Sequence, residues 1–232
     1  MTMLEVRGLT KVYMGGDGQA ITVFDGVELA VQRGEMVAII GASGAGKSTL
    51  LHLLGALDRP TAGEVLIDGK PVQGMGDDEV SRLRNRAVGF VFQFHHLLRE
   101  FSALENVMMP LRISGTPAAR ARERAMALLE RVGLAGRVHH RPAELSGGEQ
   151  QRTAVARALA MDPAVLLADE PSGNLDHHNS ELLHDLFVQL ARELEIAMVV
   201  VTHNRSLASR ADRILQLEDG KLTRIELPEV VA

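Results

Sequence analysis

The chain of 232 residues contains no cysteine and no tryptophan, and it has only one tyrosine and six phenylalanines. Without cysteine it can form no disulfide, no thiolate zinc site and no cysteine nucleophile, which fits a reducing compartment. Aromatic residues make up 3% of the chain, too few for a surface on which single-stranded bases stack. Because 25 Lys and Arg face 30 Asp and Glu, the net charge is −5, and a general grip on nucleic-acid backbone is excluded.

Long hydrophobic runs are also missing. The longest, Met36–Ile40 and Ile196–Val201, are far shorter than the ~18 residues that span a bilayer. Residues 1–7 include Glu5 and Arg7 and lack the apolar stretch typical of a signal peptide. We therefore expect no membrane span and no signal peptide. Since 46% of the residues are hydrophobic and 24% charged, we expect a globular domain.

Short β-branched runs alternate with helical patterns, which is typical of an α/β protein with a mainly parallel sheet. Met36–Ile40, Val165–Ala168 and Ala197–Val201 are continuously apolar, as in strands buried on both faces. Other runs alternate between apolar and polar residues and predict an antiparallel subsheet. These are Leu4–Val6, Val27–Val31 and Glu64–Ile67.

The segment 94–160 shows no strand pattern. Its apolar residues at i, i+4, i+7, i+8 and i+11 predict an amphipathic helix; they are Ala121, Ala125, Leu128, Leu129 and Val132. We predict a single domain in which 1–93 and 161–232 form the α/β core with its antiparallel β-subdomain, and 94–160 form an inserted helical subdomain. Seven arginines from Arg112 to Arg141 form either a solvated helix face or a surface for anionic lipid headgroups or an acidic partner.

A glycine-rich loop follows the apolar run Met36–Ile40 and precedes a helical pattern. It matches G-x-x-x-x-G-K-S, with Gly41, Ala42, Ser43, Gly44, Ala45, Gly46, Lys47 and Ser48. Glycines allow backbone N–H groups to turn toward an anion, and the helix N-terminus adds positive potential. Lys47 can reach the β- and γ-phosphates, and Ser48 can ligate Mg²⁺. The loop therefore predicts a nucleoside triphosphate site.

Two adjacent carboxylates, Asp169 and Glu170, follow the apolar run Val165–Ala168. Ligands bind at the carboxyl ends of strands in α/β sheets. Because neighbouring side chains on a strand point in opposite directions, one acid can face a metal while the other meets the attacking water. We assign Asp169 to Mg²⁺, through water, and Glu170 to the general base.

Ser146 and Glu149 have the spacing of a helix capping box. Gly147 and Gly148 between them weaken a helix but expose backbone N–H groups to an anion. The segment is therefore either a plain helix cap or a second phosphate-binding surface.

These motifs, in this order, resemble those of ATP-binding-cassette ATPases along essentially the whole chain. Leu145–Gln150, LSGGEQ, is similar to the family signature, and Gln93 to the glutamine of its Q-loop. Tyr13 stands where the family has an aromatic that stacks on adenine. The segment 172–176 is similar to the D-loop, and His203 to the switch histidine that contacts the γ-phosphate.

The resemblance implies a P-loop NTPase fold with a RecA-like core, and it implies that ATP lies between two copies of the chain. The implied catalytic residues are Lys47, Gln93, Glu170 and His203, and the implied metal residues are Ser48, Gln93 and Asp169. The implied ATP contacts are Tyr13, Gly41, Ala42, Ser43, Gly44, Ala45, Gly46, Lys47, Ser48, Thr49, Ser146, Gly147, Gly148, Gln150 and Asp176.

Two further segments, Phe92–Leu98 and Phe101–Pro110, resemble LolD-type ATPases of lipoprotein-releasing exporters. This implies an ATPase, of the translocase class, at the cytoplasmic face of the bacterial inner membrane. Its implied partners are a second copy and two LolC/LolE-type membrane subunits that handle the lipoprotein cargo, with no nucleic acid. ATPases of macrolide export or of cell division, the latter a mechanical signalling module without transport, remain alternatives. Four apolar residues predict either the docking surface for the membrane subunits or a plain core: Phe94, Leu97, Leu98 and Phe101.

Overall fold

The computed structural model describes residues 1–16 and 18–226. In this part of the chain the strands are β1 (Thr2–Met14), β2 (Ala20–Gln32), β3 (Met36–Ile40), β4 (Ala62–Ile67), β5 (Lys70–Pro71), β6 (Val88–Phe92), β7 (Val165–Asp169), β8 (Ala197–Val201), β9 (Arg213–Glu218) and β10 (Lys221–Ile225). The helices are α1 (Lys47–Leu54), α2 (Asp77–Ala87), α3 (Ala103–Ile113), α4 (Ala118–Arg131), α5 (Gly147–Ala158), α6 (His177–Glu193) and α7 (Arg205–Ala208). Short 3₁₀ turns lie at Ala135–Arg137 and Pro142–Glu144.

The strands form two sheets. One is antiparallel, with four strands in the order β2-β1-β4-β5, and the other has six strands in the order β10-β9-β3-β8-β7-β6. In the larger sheet, β9, β3, β8, β7 and β6 run parallel, and only the edge strand β10 is antiparallel to its neighbour. The predicted α/β class with an antiparallel subsheet is therefore confirmed.

The continuously apolar strands are explained by two cores, one on each face of the parallel sheet. In β8, Ala197, Val199 and Val201 pack with the antiparallel sheet and α1, whereas Met198 and Val200 pack with the helices. Since side chains alternate along a strand, both faces of this strand are buried, and no polar position remains.

The antiparallel sheet is more extensive than the sequence patterns predicted. β1 and β2 each have 13 residues. Buried positions alternate with more exposed ones over Leu4–Val6 of β1 and Val27–Val31 of β2. The hairpin of β9 and β10 was not predicted as strands. Its turn residues Asp219 and Gly220 have φ of +47° and +71°, as a tight hairpin turn requires.

Between β6 and β7 the described chain contains helices and no strand, as expected from its pattern. The predicted helix is confirmed as α4, and Ala121, Ala125, Leu128 and Leu129 on its inner face are at most 2% exposed. The subdomain boundaries at residues 94 and 160 stay a prediction. Within residues 1–16 and 18–226, no helix has both the length and the hydrophobicity needed to cross a bilayer.

Candidate functional site

The candidate site lies where four neighbouring parallel strands end. The glycine-rich loop follows β3, His203 follows β8, Asp169 and Glu170 lie at the end of β7, and Gln93 follows β6. Since β3, β8, β7 and β6 are adjacent and parallel, their carboxyl ends share one edge. The sheet order therefore brings together residues that are as much as 162 positions apart in the chain, from Gly41 to His203.

The loop from Gly41 to Lys47 has a backbone that only glycine adopts easily. Gly44 and Gly46 have φ of +80° and +92°, in the left-handed region. A Cβ atom on Gly41 would lie 2.5 Å from the carbonyl oxygen of Leu217, and one on Gly46 would lie 2.5 Å from Val23 Cγ1. The curled loop is thus packed tightly against β9 and β2 and leads directly into α1.

The potential in this loop favours an anion. Lys47 Nζ donates hydrogen bonds of 2.9 Å to the carbonyl oxygens of Gly41 and Ala42, so its ammonium lies across the loop. The first turn of α1 has no acidic residue, and its free N–H groups and dipole add positive potential. This arrangement fits the phosphate groups of a nucleotide.

Asp169 and Ser48 lie next to each other at the end of the loop and offer two oxygen atoms to a metal ion. Burial raises the pKa of Asp169, a hydrogen bond with Ser48 partly opposes this effect, and the neighbouring Glu170 carboxylate adds to it. A hydroxyl and a half-buried carboxylate are the hard oxygen ligands that Mg²⁺ prefers. Burial disfavours the ionised form of Asp169, and a divalent cation bound beside it would stabilise that form. Ser48 and Asp169 therefore fit a metal ion.

Glu170 is held firmly by the segment that follows β8. Its Oε2 accepts hydrogen bonds of 3.2 Å from Thr202 Oγ1 and from the His203 N–H, and its Oε1 lies 2.8 Å from His203 Nδ1. Its φ is +45°, unusual for a residue with a side chain, and such strain at a strand end often accompanies a functional carboxylate. The His203 side chain is 74% exposed, which leaves its other ring nitrogen accessible.

Gln93 contacts the turn that follows Glu170. Its Nε2 donates to Asn174 Oδ1 at 3.0 Å, and Asn174 Nδ2 donates back to the Gln93 carbonyl oxygen at 3.3 Å. This reciprocal pair links the end of β6 to the turn after β7. With its amide nitrogen engaged in this way, Gln93 still has an amide oxygen with which it could face a metal.

Tyr13 is 40% exposed and is anchored by residues that the sequence analysis did not identify. Its hydroxyl donates to Asp58 Oδ2 at 2.9 Å, and Lys11 Nζ lies 4.6 Å from its ring centroid. Burial raises the pKa of Tyr13, the Asp58 bond adds to it, and a hydrogen bond with Thr49 of α1 opposes it. The ring is thereby fixed near the first turn of α1.

Asp58 holds this arrangement in place. Burial would raise the pKa of Asp58, but hydrogen bonds from Lys11 and Tyr13 outweigh burial and lower it. Lys11 is itself only 7% exposed, and its Nζ lies 2.7 Å from Asp58 Oδ2. No short-range pattern in the sequence connects residue 13 with residue 58.

The signature-like segment forms the start of α5, with Ser146 as its N-cap. Ser146 Oγ accepts from the Glu149 N–H at 3.3 Å, and the Ser146 N–H donates to Glu149 Oε2 at 2.8 Å, which confirms the capping box. Ser146 and Gly147 are exposed, and Gln150 Nε2 donates to the Leu145 carbonyl oxygen. The capped helix start thus presents a hydroxyl and a glycine to solvent.

Asp176 caps the next helix. Its Oδ1 accepts from the Asn179 N–H at 2.9 Å, and its Oδ2 accepts from Asn179 Nδ2 at 2.7 Å. Asn179 also lies against Gly148, so the starts of α5 and α6 are in contact. The structure therefore places Ser146, Gly147, Gly148 and Asp176 at the adjoining starts of α5 and α6, whereas the phosphate-loop residues lie at the start of α1.

The four apolar residues after Gln93 do not form one exposed surface. Phe94, Leu98 and Phe101 are 65%, 44% and 37% exposed, but Leu97 is only 7% exposed. Leu97 follows His96, whose φ of +46° turns the chain so that the next side chain points inward. Leu97 is therefore a core residue and not part of an exposed docking surface.

Two residues that the sequence analysis missed hold this part of the chain. Gln151 is buried and its Nε2 donates to the Phe92 carbonyl oxygen at 2.9 Å. Arg157 donates to the carbonyl oxygens of His95 and His96, each at 2.7 Å. Both lie on α5, so this helix supports the segment after β6. A glutamine and an arginine in a helix carry no local signal for such contacts.

Comparison with known proteins agrees with this geometry. Residues 24–173 match the family described as ABC transporter. The lipoprotein-releasing system ATP-binding protein LolD of Xanthomonas campestris pv. campestris is 54% identical over 223 residues, covering 96% of this chain and 93% of that protein. The LolD protein of Pseudomonas fluorescens is 52% identical over 223 residues, covering 96% of this chain and 98% of that protein.

A solved structure has the same fold. The ATP-binding cassette MJ0796, in a dimeric post-hydrolysis state bound to ADP and Pi, superposes with a TM-score of 0.87 at 39% identity, covering 97% of this chain and 99% of that chain. The predicted P-loop NTPase fold is thus confirmed. This chain belongs to the ABC transporter family, and within that family it is similar to LolD ATP-binding proteins.

Proposed function

We propose that this chain binds ATP with Mg²⁺ at the carboxyl edge of the parallel sheet and hydrolyses it to power an ABC complex that releases lipoproteins from the inner membrane toward the outer membrane. The observation that carries the proposal is the meeting of the glycine-rich loop, Asp169, the Glu170–His203 pair and Gln93 at one edge. The name of the relatives supports lipoprotein release over macrolide export or cell division.

The loop from Gly41 to Thr49 cradles the phosphates. Its curled backbone offers N–H groups, Lys47 exchanges its two carbonyl partners for phosphate oxygens, and α1 adds the field of its N-terminus. Tyr13 lies beside Thr49, where its exposed ring can stack on adenine.

Ser48, Asp169 and Gln93 are the residues that would hold Mg²⁺. The metal would neutralise charge on the β- and γ-phosphates. Burial raises the pKa of Asp169, and a cation bound beside this carboxyl would favour its ionised form.

Glu170 orients and deprotonates the attacking water. Its two oxygens are aligned by Thr202 and His203, and a fixed carboxylate at this position is suited to general-base catalysis. His203 faces the γ-phosphate through its exposed ring nitrogen. Gln93 immediately precedes the helical segment 94–160, so a shift of Gln93 when ATP binds or is hydrolysed would move that segment.

The second half of each ATP site comes from a second copy of this chain. The exposed Ser146, Gly147 and the N-terminus of α5 form an anion-binding surface without a lysine of its own, and Asp176 lies next to it. ATP bound at Lys47 of one copy would meet this surface of the other, so that hydrolysis opens the dimer. The dimeric state of MJ0796 supports this arrangement.

The chain works with two integral membrane subunits of LolC/LolE type, which handle the cargo, at the cytoplasmic face of the inner membrane. Phe94, Leu98 and Phe101 supply the apolar docking surface beside Gln93. Their position next to Gln93 connects docking to the ATP site.

Glu170→Gln tests the catalytic assignment. Without the base, we expect kcat to fall by ~10²- to 10⁴-fold, while ATP still binds and holds two copies together. Phosphate release measures turnover, and light scattering with ATP measures the dimer. Glu64→Gln, an exposed carboxylate of β4, is the matched control. Turnover near that of the wild type in Glu170→Gln means that Glu170 is not the base.

Phe94→Asp and Leu98→Asp test the docking surface. We expect both to weaken assembly with the membrane subunits while leaving the ATPase rate of the isolated chain unchanged. Ile113→Asp, at a residue that is 70% exposed at the end of α3, is the control. Co-purification from detergent extract measures assembly, and wild-type recovery of the membrane subunits with both variants would exclude this surface.

A further inference from the structure

A buried polar pair joins α6 to the turn that follows Glu170. His184 of α6 is 0% exposed, and its Nε2 lies 3.0 Å from Oγ of Ser172, which is 5% exposed. Buried polar side chains destabilise a core unless they are paired. Neither residue has a part in the proposed chemistry, yet Ser172 lies between Glu170 and Asn174 in the chain.

The surroundings of His184 determine its charge and its tautomer. Burial lowers the pKa of His184, and the nearby Arg210 adds to this, whereas Glu181 and Asp185 oppose it. His184 Nδ1 lies 3.4 Å from Glu181 Oε1. A lone pair at Nδ1 would face that carboxylate, which favours the tautomer with the proton on Nδ1; in that tautomer Nε2 accepts a hydrogen bond from the Ser172 hydroxyl.

Glu181 ties this pair to the segment that follows His203. Its Oε1 accepts from Ser206 Oγ at 2.8 Å, and its Oε2 pairs with Arg210. Arg210 also pairs with Asp185 of α6. Helix α6 is therefore connected to both sides of the Glu170–His203 pair.

We propose that His184 is a positioning residue for ATP hydrolysis, acting through Ser172 on the turn that carries Glu170 and Asn174. This inference rests on the proposed function. The Gly173 N–H donates to the Glu170 carbonyl oxygen at 3.0 Å, and the Leu175 N–H donates to the Ser172 carbonyl oxygen at 3.1 Å. A displacement of Ser172 is therefore transmitted to Glu170.

Glu170 depends on such support because its backbone is strained, with a φ of +45°. Loss of the Ser172 anchor allows its carboxylate to leave the position set by Thr202 and His203. The phosphate loop lies on other strands and is not disturbed. The effect should therefore appear in kcat and not in the affinity for ATP.

A double-mutant cycle tests this role. Ser172→Ala removes the hydroxyl, and His184→Phe keeps a ring but removes both nitrogens. We expect kcat of the purified chain to fall about 3- to 10-fold in each variant, with KM for ATP within about twofold, and the double variant to be no slower than either single variant. His184→Gln, which places an amide near the position of Nε2, should restore kcat to within about twofold of the wild type.

Gln189→Ala, at an exposed position of α6, is the matched control and should keep wild-type kinetics. Thermal unfolding of all variants separates stability from catalysis. A lower Tm with unchanged kcat in Ser172→Ala, or losses that multiply in the double variant, would overturn the positioning role. If His184→Phe does not fold, the test uses the other two variants: kcat should fall in Ser172→Ala and stay near that of the wild type in His184→Gln. A wild-type chain without ATPase activity would contradict the proposed function itself.

Discussion

Gly147 and Gly148 are adjacent in the chain, but the structure gives them different surroundings. A Cβ atom on Gly148 would lie 2.2 Å from Asn179 Oδ1, which is closer than atoms can approach. A Cβ atom on Gly147 would lie 3.7 Å from Leu175 Cδ2, an ordinary contact. Only Gly148 is therefore required by the packing of α5 against α6.

We predict that Gly148→Ala destabilises the protein by about 1–3 kcal/mol, because Asn179 must move. Gly147→Ala should change stability by less than ~1 kcal/mol, since the added methyl has room and alanine favours the helix. Urea unfolding of both variants measures the difference. Equal stability of the two variants would show that Asn179 gives way without cost.

Contiguous site residues were predictable from the sequence, whereas contacts between distant residues were not. The phosphate loop was identifiable because its residues are contiguous and its glycines are required by one backbone shape. Asp58 and Ser172 were not identifiable as partners of Tyr13 and His184, since each pair is made across the fold. The sequence left Leu97 either in the docking surface or in the core, because its inward direction depends on the backbone of His96.

Helices α3 and α5 begin with the same capping box. In both, the serine N–H donates to glutamate Oε2 at 2.8 Å, and the serine Oγ accepts from the glutamate N–H at 3.3 Å. The serines are Ser102 in α3 and Ser146 in α5. The two caps therefore share these two hydrogen bonds, and Glu149 of the second also pairs with Arg137 at 2.9 Å. Only the second cap lies in the proposed ATP-binding surface.

Ser102→Ala and Ser146→Ala form a matched pair for this reason. We expect each variant to lose ~1 kcal/mol of stability through loss of the cap. Only Ser146→Ala should also lose ATP-dependent dimerisation, measured by light scattering in the Glu170→Gln background. If Ser146→Ala still dimerises like Ser102→Ala, the segment is a plain helix cap.

Among whole elements, the buried strands were the most predictable. β3 and β8 have the bounds predicted from their apolar runs, and β7 continues one residue further, to Asp169, because both faces of these central strands are covered. β9 and β10 were missed since they mix charged and apolar residues near the sheet edge. α2 was missed for a related reason, as it has no fully buried residue.

Charge across the whole molecule predicts how stability depends on pH. Backbone N–H donors at helix starts lower the pKa of Glu105, Glu149 and Asp176 below their ordinary values. Such carboxylates stabilise the fold above their ordinary pKa, and this contribution is lost as the pH falls through the lowered one. Asp169 has a raised pKa and the opposite sign: its contribution is present at low pH and is lost as the pH rises.

We therefore expect the free energy of unfolding to fall between about pH 5 and pH 2, measured by urea unfolding without nucleotide. Glu105→Gln should reduce this fall. Asp169→Asn should make the nucleotide-free protein more stable than the wild type at pH 7, with the difference vanishing in acid. A stability difference for Asp169→Asn that grows in acid would contradict the raised pKa.

The sequence by itself determined the fold class, the buried strands and the phosphate-binding loop, because each depends on residues close together in the chain. Tertiary structure alone decided which carboxylate His203 contacts, how Gln93 meets Asn174, and that Leu97 is buried. It also placed His184 against Ser172. These contacts depend on the order β3-β8-β7-β6 and on the packing of α5 and α6, which no local periodicity encodes.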